Sequence, residues 1–299
     1  MCMRYCLFLF WILAGIGGQA QVATDSLEVP APSAYGSLLW KIEGDSLPAP
    51  SYLFGTMHII PKDSFFIPPE LEQVLDSCTR LVMEIDLNGP SMLKSMMGMV
   101  MPPSTSLKKL LSEEDYAYLK TFMKDSLPVS IPMYQMIKPI FISQQVAASY
   151  CLQGASESYE LYFMQKFNAA GKETSGLETV DEQMAFLDEI PLEEQAAQLM
   201  ETVRNPGKSC EQVKQMIALY RKQDLGGLLS LIEQDPELAD QMGSLLGQRN
   251  QNWIPVLEKL MKKEPLFIAV GAGHLPGNEG VIALLLRAGY TVTAVNMKH

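Results

Sequence analysis

Two of the three histidines in this chain stand three residues after a glycine, in Gly55-Thr56-Met57-His58 and Gly271-Ala272-Gly273-His274. Each follows an apolar run, SYLF and LFIAV, so each imidazole is expected just past the C-terminal end of a strand. In open α/β sheets, sites form in the crevice beyond those ends. The glycine is expected to let the backbone turn tightly and bring the ring inward. His299 is the last residue and carries no site argument.

Glu84 interrupts an apolar strand, Leu81-Val82-Met83-Glu84-Ile85. A carboxylate there is costly unless it is paired, hydrogen-bonded or bound to a cation. Asp86, two residues on, is expected on the same strand face. His58, His274 and Glu84 together have the donor types of a site for Mn²⁺, Co²⁺ or Zn²⁺ with a position left for water. Such a cation would polarise a carbonyl and acidify water. The plainer alternative has each histidine bonded to a loop and Glu84 capping a helix. Glu178 in Gly-Leu-Glu-Thr, the pair Arg249-Asn250 and Glu160 on an otherwise apolar face are further candidates. Each alone reads more naturally as a surface or capping residue. Arg249 is suited to orienting a carboxylate or holding an oxyanion.

Positioning these groups requires a sheet. Strands are expected over 38–42, from 51 into Gly55, and over 80–87, with a helix over 69–78 between the last two; this is a parallel β–loop–α–β unit. From 90 to 260 the pattern is mostly helical. Ser112 and Asp115 form a capping box. Helices are expected over 133–151, 156–170, 180–189, 192–204 and 210–222, and a short strand over 173–177. A strand over 266–270, a helix over 281–288 and a strand over 291–295 close the chain. SYLFGTMH and FIAVGAGH form a weak internal repeat. The expected fold is α/β (α+β), with a central mixed, partly parallel sheet built from the N- and C-terminal segments. Residues 35–299 form one domain, and 90–260 is a helical insertion over the sheet, because no Gly/Ser/Pro linker isolates it.

The bulk numbers narrow the function. With 299 residues, 47% hydrophobic and 19% charged, the chain can bury a large core. Residues 1–20 read as an export signal, with Arg4, the apolar run Leu7–Ile16 and a cleavage site at Gly18-Gln19-Ala20. Residues 21–34 read as a flexible leader, and the expected location is periplasmic or secreted. The net charge of −11 argues against nucleic acid and anionic lipid as partners. No further apolar run suits a membrane span. Cys2 and Cys6 would leave with the signal. Export then permits a disulfide, for which Cys151–Cys210 is the favoured pair, against three buried thiols with Cys78. None stands beside a histidine, so no cysteine nucleophile is expected.

The segments YLFGTMHIIP, LVMEIDL, GKETSGLETVDEQ, QRNQNW and FIAVGAGHLPGNEGVIALLLRAGYTV resemble the TraB/GumN family, related to the Tiki-type metalloproteases. The resemblance spans about residues 35–298. It implies a sheet core with a helical insertion, and a site made from His58, His274 and Glu84. It also maps an Arg-Asn pair onto Arg249 and Asn250, and a glutamate onto Glu178. Family members often carry Asp where this chain has Glu160. Tiki-type members are divalent-metal peptidases, and distant relatives are esterases or haem binders. The leading expectation is therefore a metal-dependent hydrolase, a peptidase, with His58, Glu84 and His274 as ligands, Arg249 near the oxyanion and Glu178 supporting a ligand. The alternatives are a metal-free, esterase-like His/Glu hydrolase, or a protein that binds haem or a peptide without turnover. The substrate is a peptide or small molecule. No His-Glu-x-x-His helix is present, so zincin chemistry is not expected.

Overall fold

Apolar runs bounded by turn residues become the strands. Leu39–Glu43 (β1) and Ser51–Thr56 (β2) pair antiparallel across a turn. Ile60–Pro61 (β3) follows, then helix Pro69–Ser77 (α1), which starts on a proline that needs no amide partner. Arg80–Met83 (β4) is next. The computed structural model describes residues 35–126, 134–152, 154–234 and 236–298, side chains of 126 and 236–245 aside. The expected signal 1–20, the leader 21–34 and His299 lie outside the described residues.

Helices Pro90–Gly98 (α2), Leu107–Leu110 (α3), Glu113–Ser126 (α4) and Pro139–Cys151 (α5) come next. A two-residue strand Ser156–Glu157 (β5), helix Tyr159–Ala169 (α6) and strand Glu173–Gly176 (β6) follow. Helices Val180–Asp188 (α7), Leu192–Arg204 (α8), Pro206–Arg221 (α9), Leu225–Glu233 (α10) and Pro236–Met261 (α11) then lead back to the sheet. Leu266–Gly271 (β7), Val281–Arg287 (α12) and Thr291–Val295 (β8) end the chain.

The six-stranded sheet runs β6-β4-β7-β2-β1-β8. The pairs β6/β4, β4/β7 and β7/β2 are parallel, and β2/β1 and β1/β8 are antiparallel. The sheet is mixed and partly parallel, as expected. Its outer parallel strand, β6, comes from the middle of the chain and not from either terminal segment. Every residue of β7 is buried, as a strand covered on both faces requires.

Several boundaries differ from the sequence reading, each for a local reason. The strand expected over 80–87 stops at Met83. Beyond it, the amides of Leu177 and Glu178 reach in to the carbonyls of Met83 and Glu84 at 2.8–3.0 Å. Gly176 passes so close that a Cβ there would lie 2.8 Å from the Asp86 nitrogen. Asp86 therefore shares no strand face with Glu84; its carboxylate accepts from the Asn88 amide and the Thr174 hydroxyl. The helix expected from 156 starts at Tyr159, because Ser156–Glu157 pairs with Ile60–Pro61 and Ser158 caps the helix. The helix expected from 133 starts, in its described part, at Pro139, and the helix expected from 210 begins at Pro206.

The core is in two parts. A large cluster fills both sides of the sheet. A smaller one, with Met101, Leu107, Leu119, Met123, Leu199 and Val203, lies among α3, α4 and α8. Helix α5 serves both: Ile140 and Ala147 join the first, and Ile142 and Val146 the second. Cys151 of α5 and Cys210 of α9 form the expected disulfide, and Cys78 is a buried free thiol. Among the described residues no helix is long and apolar enough to cross a membrane.

Candidate functional site

β2 and β7 are adjacent and parallel, so the two Gly-x-x-His turns lie side by side. Their register is one step out from the sequence repeat: Gly55 pairs with Val270, and Thr56 with Gly271. The two histidines accordingly meet different surroundings. His274 closes a short 3₁₀ turn, Ala272–His274, and is fully buried. The His58 side chain remains 44% exposed.

Neither Gly55 nor Gly271 is among the residues with positive φ, and Gly55 serves close packing. A Cβ on Gly55 would stand 3.0 Å from the Ala272 Cα and 3.1 Å from the Leu275 side chain. Its carbonyl accepts a 2.8 Å hydrogen bond from the buried Tyr220 hydroxyl.

His274 is held by helix α11. Asn250 Nδ2 donates to the carbonyls of Glu279 (2.7 Å) and His274 (3.3 Å). That orients its Oδ1 toward His274 Nδ1, 2.6 Å away. Nδ1 therefore carries the proton and Nε2 the lone pair. Nε2 lies 3.3 Å from Arg249 Nη1 and 3.6 Å from Glu84 Oε1. The Trp253 ring packs on the imidazole, centroids 4.4 Å apart. Burial, opposed by Glu84 and reinforced by the Arg249 and His58 charges, keeps His274 well below its ordinary pKa; the ring is neutral.

Arg249 and Trp253 are four residues apart on one face of α11, and both are buried. Arg249 Nη2 donates to Glu84 Oε2 and to Glu178 Oε1, each at 2.6 Å, and Nε donates to Glu178 Oε2 at 3.1 Å. Trp253 Nε1 also donates to Glu178, at 3.0 Å. Glu84 Oε1 accepts the Gly271 amide at 2.9 Å. Burial works against its charge, yet Arg249, with His274 and His58, holds Glu84 well below the usual carboxylate range. At Glu178 burial wins, and its pKa is raised despite Arg249. Gln183 of α7 links the two acids, at 3.1 Å from Glu178 and 3.4 Å from Glu84.

His58 has a separate partner. Its Nδ1 lies 2.6 Å from Glu160 Oε1. The same carboxylate accepts from the Thr56 hydroxyl and, at 3.0 Å, from the Ser158 hydroxyl. Burial opposes an imidazolium here, but the charge and hydrogen bond of Glu160 outweigh it and raise His58 to about 9. By sequence Glu160 reads as a surface or capping residue; in the structure it is 7% exposed and is the carboxylate that orients His58. A signal was present: Glu160, Phe163 and Phe167 recur at the i, i+3, i+7 spacing of a buried helix face.

The expected residues thus form two neighbouring groups: Glu84, Glu178, Arg249, Asn250 and His274 in one, His58 with Glu160 in the other. His58 is near enough to act on Glu84 and His274 through its charge. Among the described residues no three His, Cys, Asp or Glu side chains are gathered as a metal set. Arg249, expected to orient a carboxylate or hold an oxyanion, donates to two carboxylates and faces His274.

Comparison with known proteins agrees in extent with this core. The sequence model of the TraB/PrgY/gumN family matches residues 38–294. Metalloprotease TIKI1 of Danio rerio is 24% identical over 318 residues, covering 87% of this chain and 63% of its own length. Metalloprotease TIKI2 of Danio rerio is 23% identical over 86% of this chain and 60% of its own. Metalloprotease TIKI1 of Homo sapiens is 22% identical over 88% of this chain and 63% of its own. The chain spans 60–63% of the length of these curated relatives. No solved structure matches it.

Proposed function

Since this chain belongs to the TraB/PrgY/gumN family, we propose that it is a hydrolase of peptide bonds whose chemistry takes place between the two Gly-x-x-His turns. One observation carries the reading. Both motif histidines are bonded at Nδ1 to an enclosed oxygen, of Glu160 and of Asn250, so Nε2 is the nitrogen each ring would offer to a ligand, and on His274 Arg249 Nη1 lies 3.3 Å from it. Metal-ligating histidines are oriented by such an acceptor on the far nitrogen.

The donor types match a divalent cation, two imidazole nitrogens and Glu84 kept ionised beside His274, although among the described residues the three are not gathered as a ligand set. His58, Glu84 and His274 would hold it, and Mn²⁺, Co²⁺ and Zn²⁺ suit that mixture. A cation there would supply Lewis-acid polarisation of a carbonyl. The chain's own groups do the rest. Arg249 and Gln183 fix Glu84, Asn250 and Trp253 fix His274, and Glu160 fixes His58.

A specific observation favours a second, metal-free reading. Arg249 Nη1 faces the His274 nitrogen that a cation would use, and Glu160 keeps His58 protonated near neutrality. In that reading His58, protonated and partly exposed, would deliver a proton to the leaving amine.

Chelation separates the two. The full chain is assayed on internally quenched peptides after exhaustive treatment with chelator. The metal reading expects the rate to vanish and to return with Mn²⁺, Co²⁺ or Zn²⁺. It also expects His274→Ala to lose both turnover and cation uptake while circular dichroism stays unchanged. A wild-type rate that survives chelation ends the metal reading and leaves the acid–base one. No turnover on peptide or ester libraries under any metal ends both, and favours a ligand-binding role for the same crevice. On the pattern of residues 1–20 we further propose export to the periplasm or medium, in which case N-terminal sequencing of the mature protein begins at Gln21.

A further inference from the structure

His58 lines a cleft of about 740 Å³, within the roughly 300–1,000 Å³ of ligand pockets. Gln145 and Ser149 of α5, Gln165 of α6, and Ser156 and Glu157 of β5 line it too. The pairing of β5 with β3 decides which way its main chain faces. Pro61 stands opposite Ser156, and Ile60 opposite Glu157. Pro61 has no N–H, so its pair with Ser156 is the non-hydrogen-bonded kind of an antiparallel ladder. The neighbouring pair carries the bond, from the Lys62 amide to the Ala155 carbonyl at 3.0 Å. The N–H and C=O of Ser156 therefore both point away from β3. Among the described residues β5 pairs with no other strand, which leaves it an open edge at Ser156. The outer edge of β3 is closed, because the Pro61 carbonyl already accepts the Ser64 and Phe65 amides at 2.8 and 3.0 Å. At Ser158 the open edge ends. Its carbonyl accepts the Tyr162 amide of α6 at 3.1 Å, and its hydroxyl is turned to Glu160, which orients His58.

From this we infer that substrate binds by strand addition: an extended polypeptide segment pairs with the main chain of Ser156 at the open edge of β5 and runs through the cleft to His58. The inference rests on the peptidase reading and names its substrate class, an extended segment of polypeptide recognised by its main chain. A strand edge presents a donor and an acceptor at the spacing of another main chain, and adding a strand satisfies both. The amide and hydroxyl groups of Gln145, Ser149 and Gln165 suit the donors and acceptors of the peptide's other edge. Apart from His58 the one charged lining residue is Glu157, and Lys62 stands 3.7 Å from it. The wall therefore asks for no charged side chain. Ser158 lies two residues on from Ser156, about 7 Å along an extended chain, and its bond to Glu160 directs the paired segment toward the His58 side of the cleft. The open edge is a single residue long. That is too short to hold two folded copies together, but it sets the register of a peptide whose remaining length lies in the cleft.

The test uses the full-length protein and a fluorescent peptide of about ten Ala, Ser, Gln and Leu residues, about 33 Å long when extended. A second form carries a methyl on every backbone nitrogen, which removes its main-chain donors and keeps its side chains. Binding is followed by anisotropy, read before turnover develops. The parent peptide should bind about tenfold more tightly than the methylated form, and Ser156→Pro, which deletes the edge donor, should weaken the parent by about tenfold. Gln145→Trp, which fills the cleft from an exposed position on α5, should weaken it as well. Each variant is first checked for an unchanged melting temperature, and either one suffices if the other fails to fold. Binding with these losses, but without turnover under any metal, upholds the edge and overturns the peptidase reading. Equal affinity for the two peptides, or turnover of the parent with a KM that both folded variants leave unchanged, overturns the edge and leaves the peptidase reading standing. A dimer in sedimentation that dissociates in Ser156→Pro, with no peptide bound, gives the edge to a second copy and overturns the inference. Neither binding nor turnover overturns both.

Discussion

One guanidinium serving two buried carboxylates sets the energetics of the site. Arg249 is 3% exposed, and the Glu84 and Glu178 side chains 10% and 6%. An ordinary hydrogen bond contributes about 0.5–1.5 kcal/mol net, but removing one partner of a buried ion pair costs about 3–5 kcal/mol because the other charge is stranded. Arg249→Met should therefore lower the free energy of unfolding in urea by about 3–5 kcal/mol. Adding Glu178→Gln should restore part of the loss, because it removes one of the two stranded charges. If the second substitution restores nothing, the two acids do not share the guanidinium energetically. The sequence marked all three residues as candidates. It did not mark their mutual engagement, because a lone charge in a helix or loop reads the same whether it faces water or an acid.

At the level of elements, the contact between β2 and the turn after β7 aligns the two histidines. Gly55 lies at that contact, and the nearest atom its Cβ would meet, the Ala272 Cα at 3.0 Å, is backbone, which cannot swing aside as a flexible side chain would. Gly55→Ala should cost about 1–3 kcal/mol, the range for overpacking a filled core, and should displace the 272–274 turn, lowering peptide turnover. Gly36→Ala is the matched control: a Cβ there meets nothing within 4 Å, and its effect on the urea midpoint should be small. Equal losses in the two variants would show that backbone freedom, and not the β2–β7 contact, is what Gly55 provides. The repeat in the sequence pointed to this pairing of motifs. Its one-residue offset in register, with one histidine buried and the other half open, follows from strand pairing across the intervening residues 57–265.

For the molecule as a whole, the segment between β4 and β7 is tied to the sheet in two ways: helix α5 feeds two hydrophobic clusters, and β6 hydrogen-bonds to β4. Within the segment the Cys151–Cys210 disulfide joins α5 to α9. We propose that segment 90–260 does not fold as a unit of its own. Limited proteolysis should then yield no stable fragment of that span, and nicked products should stay linked under non-reducing conditions. Release of a protease-resistant, helical 90–260 fragment would count against this.

The sequence alone determined the strand–glycine–histidine units, the buried Glu84 and the mixed sheet; helix 192–204 and strand 291–295 fall where their patterns place them. These are legible because element type and buried face are written in local spacing. Only the tertiary structure decided that Glu160, 102 residues away, orients His58, that the Glu84 strand ends at Met83, and that Arg249 faces two acids. The physical reason is the same in each case. A buried charge takes whatever partner the strand order and the loop packing bring to it. That order is a property of distant segments meeting, which no window of neighbouring residues contains.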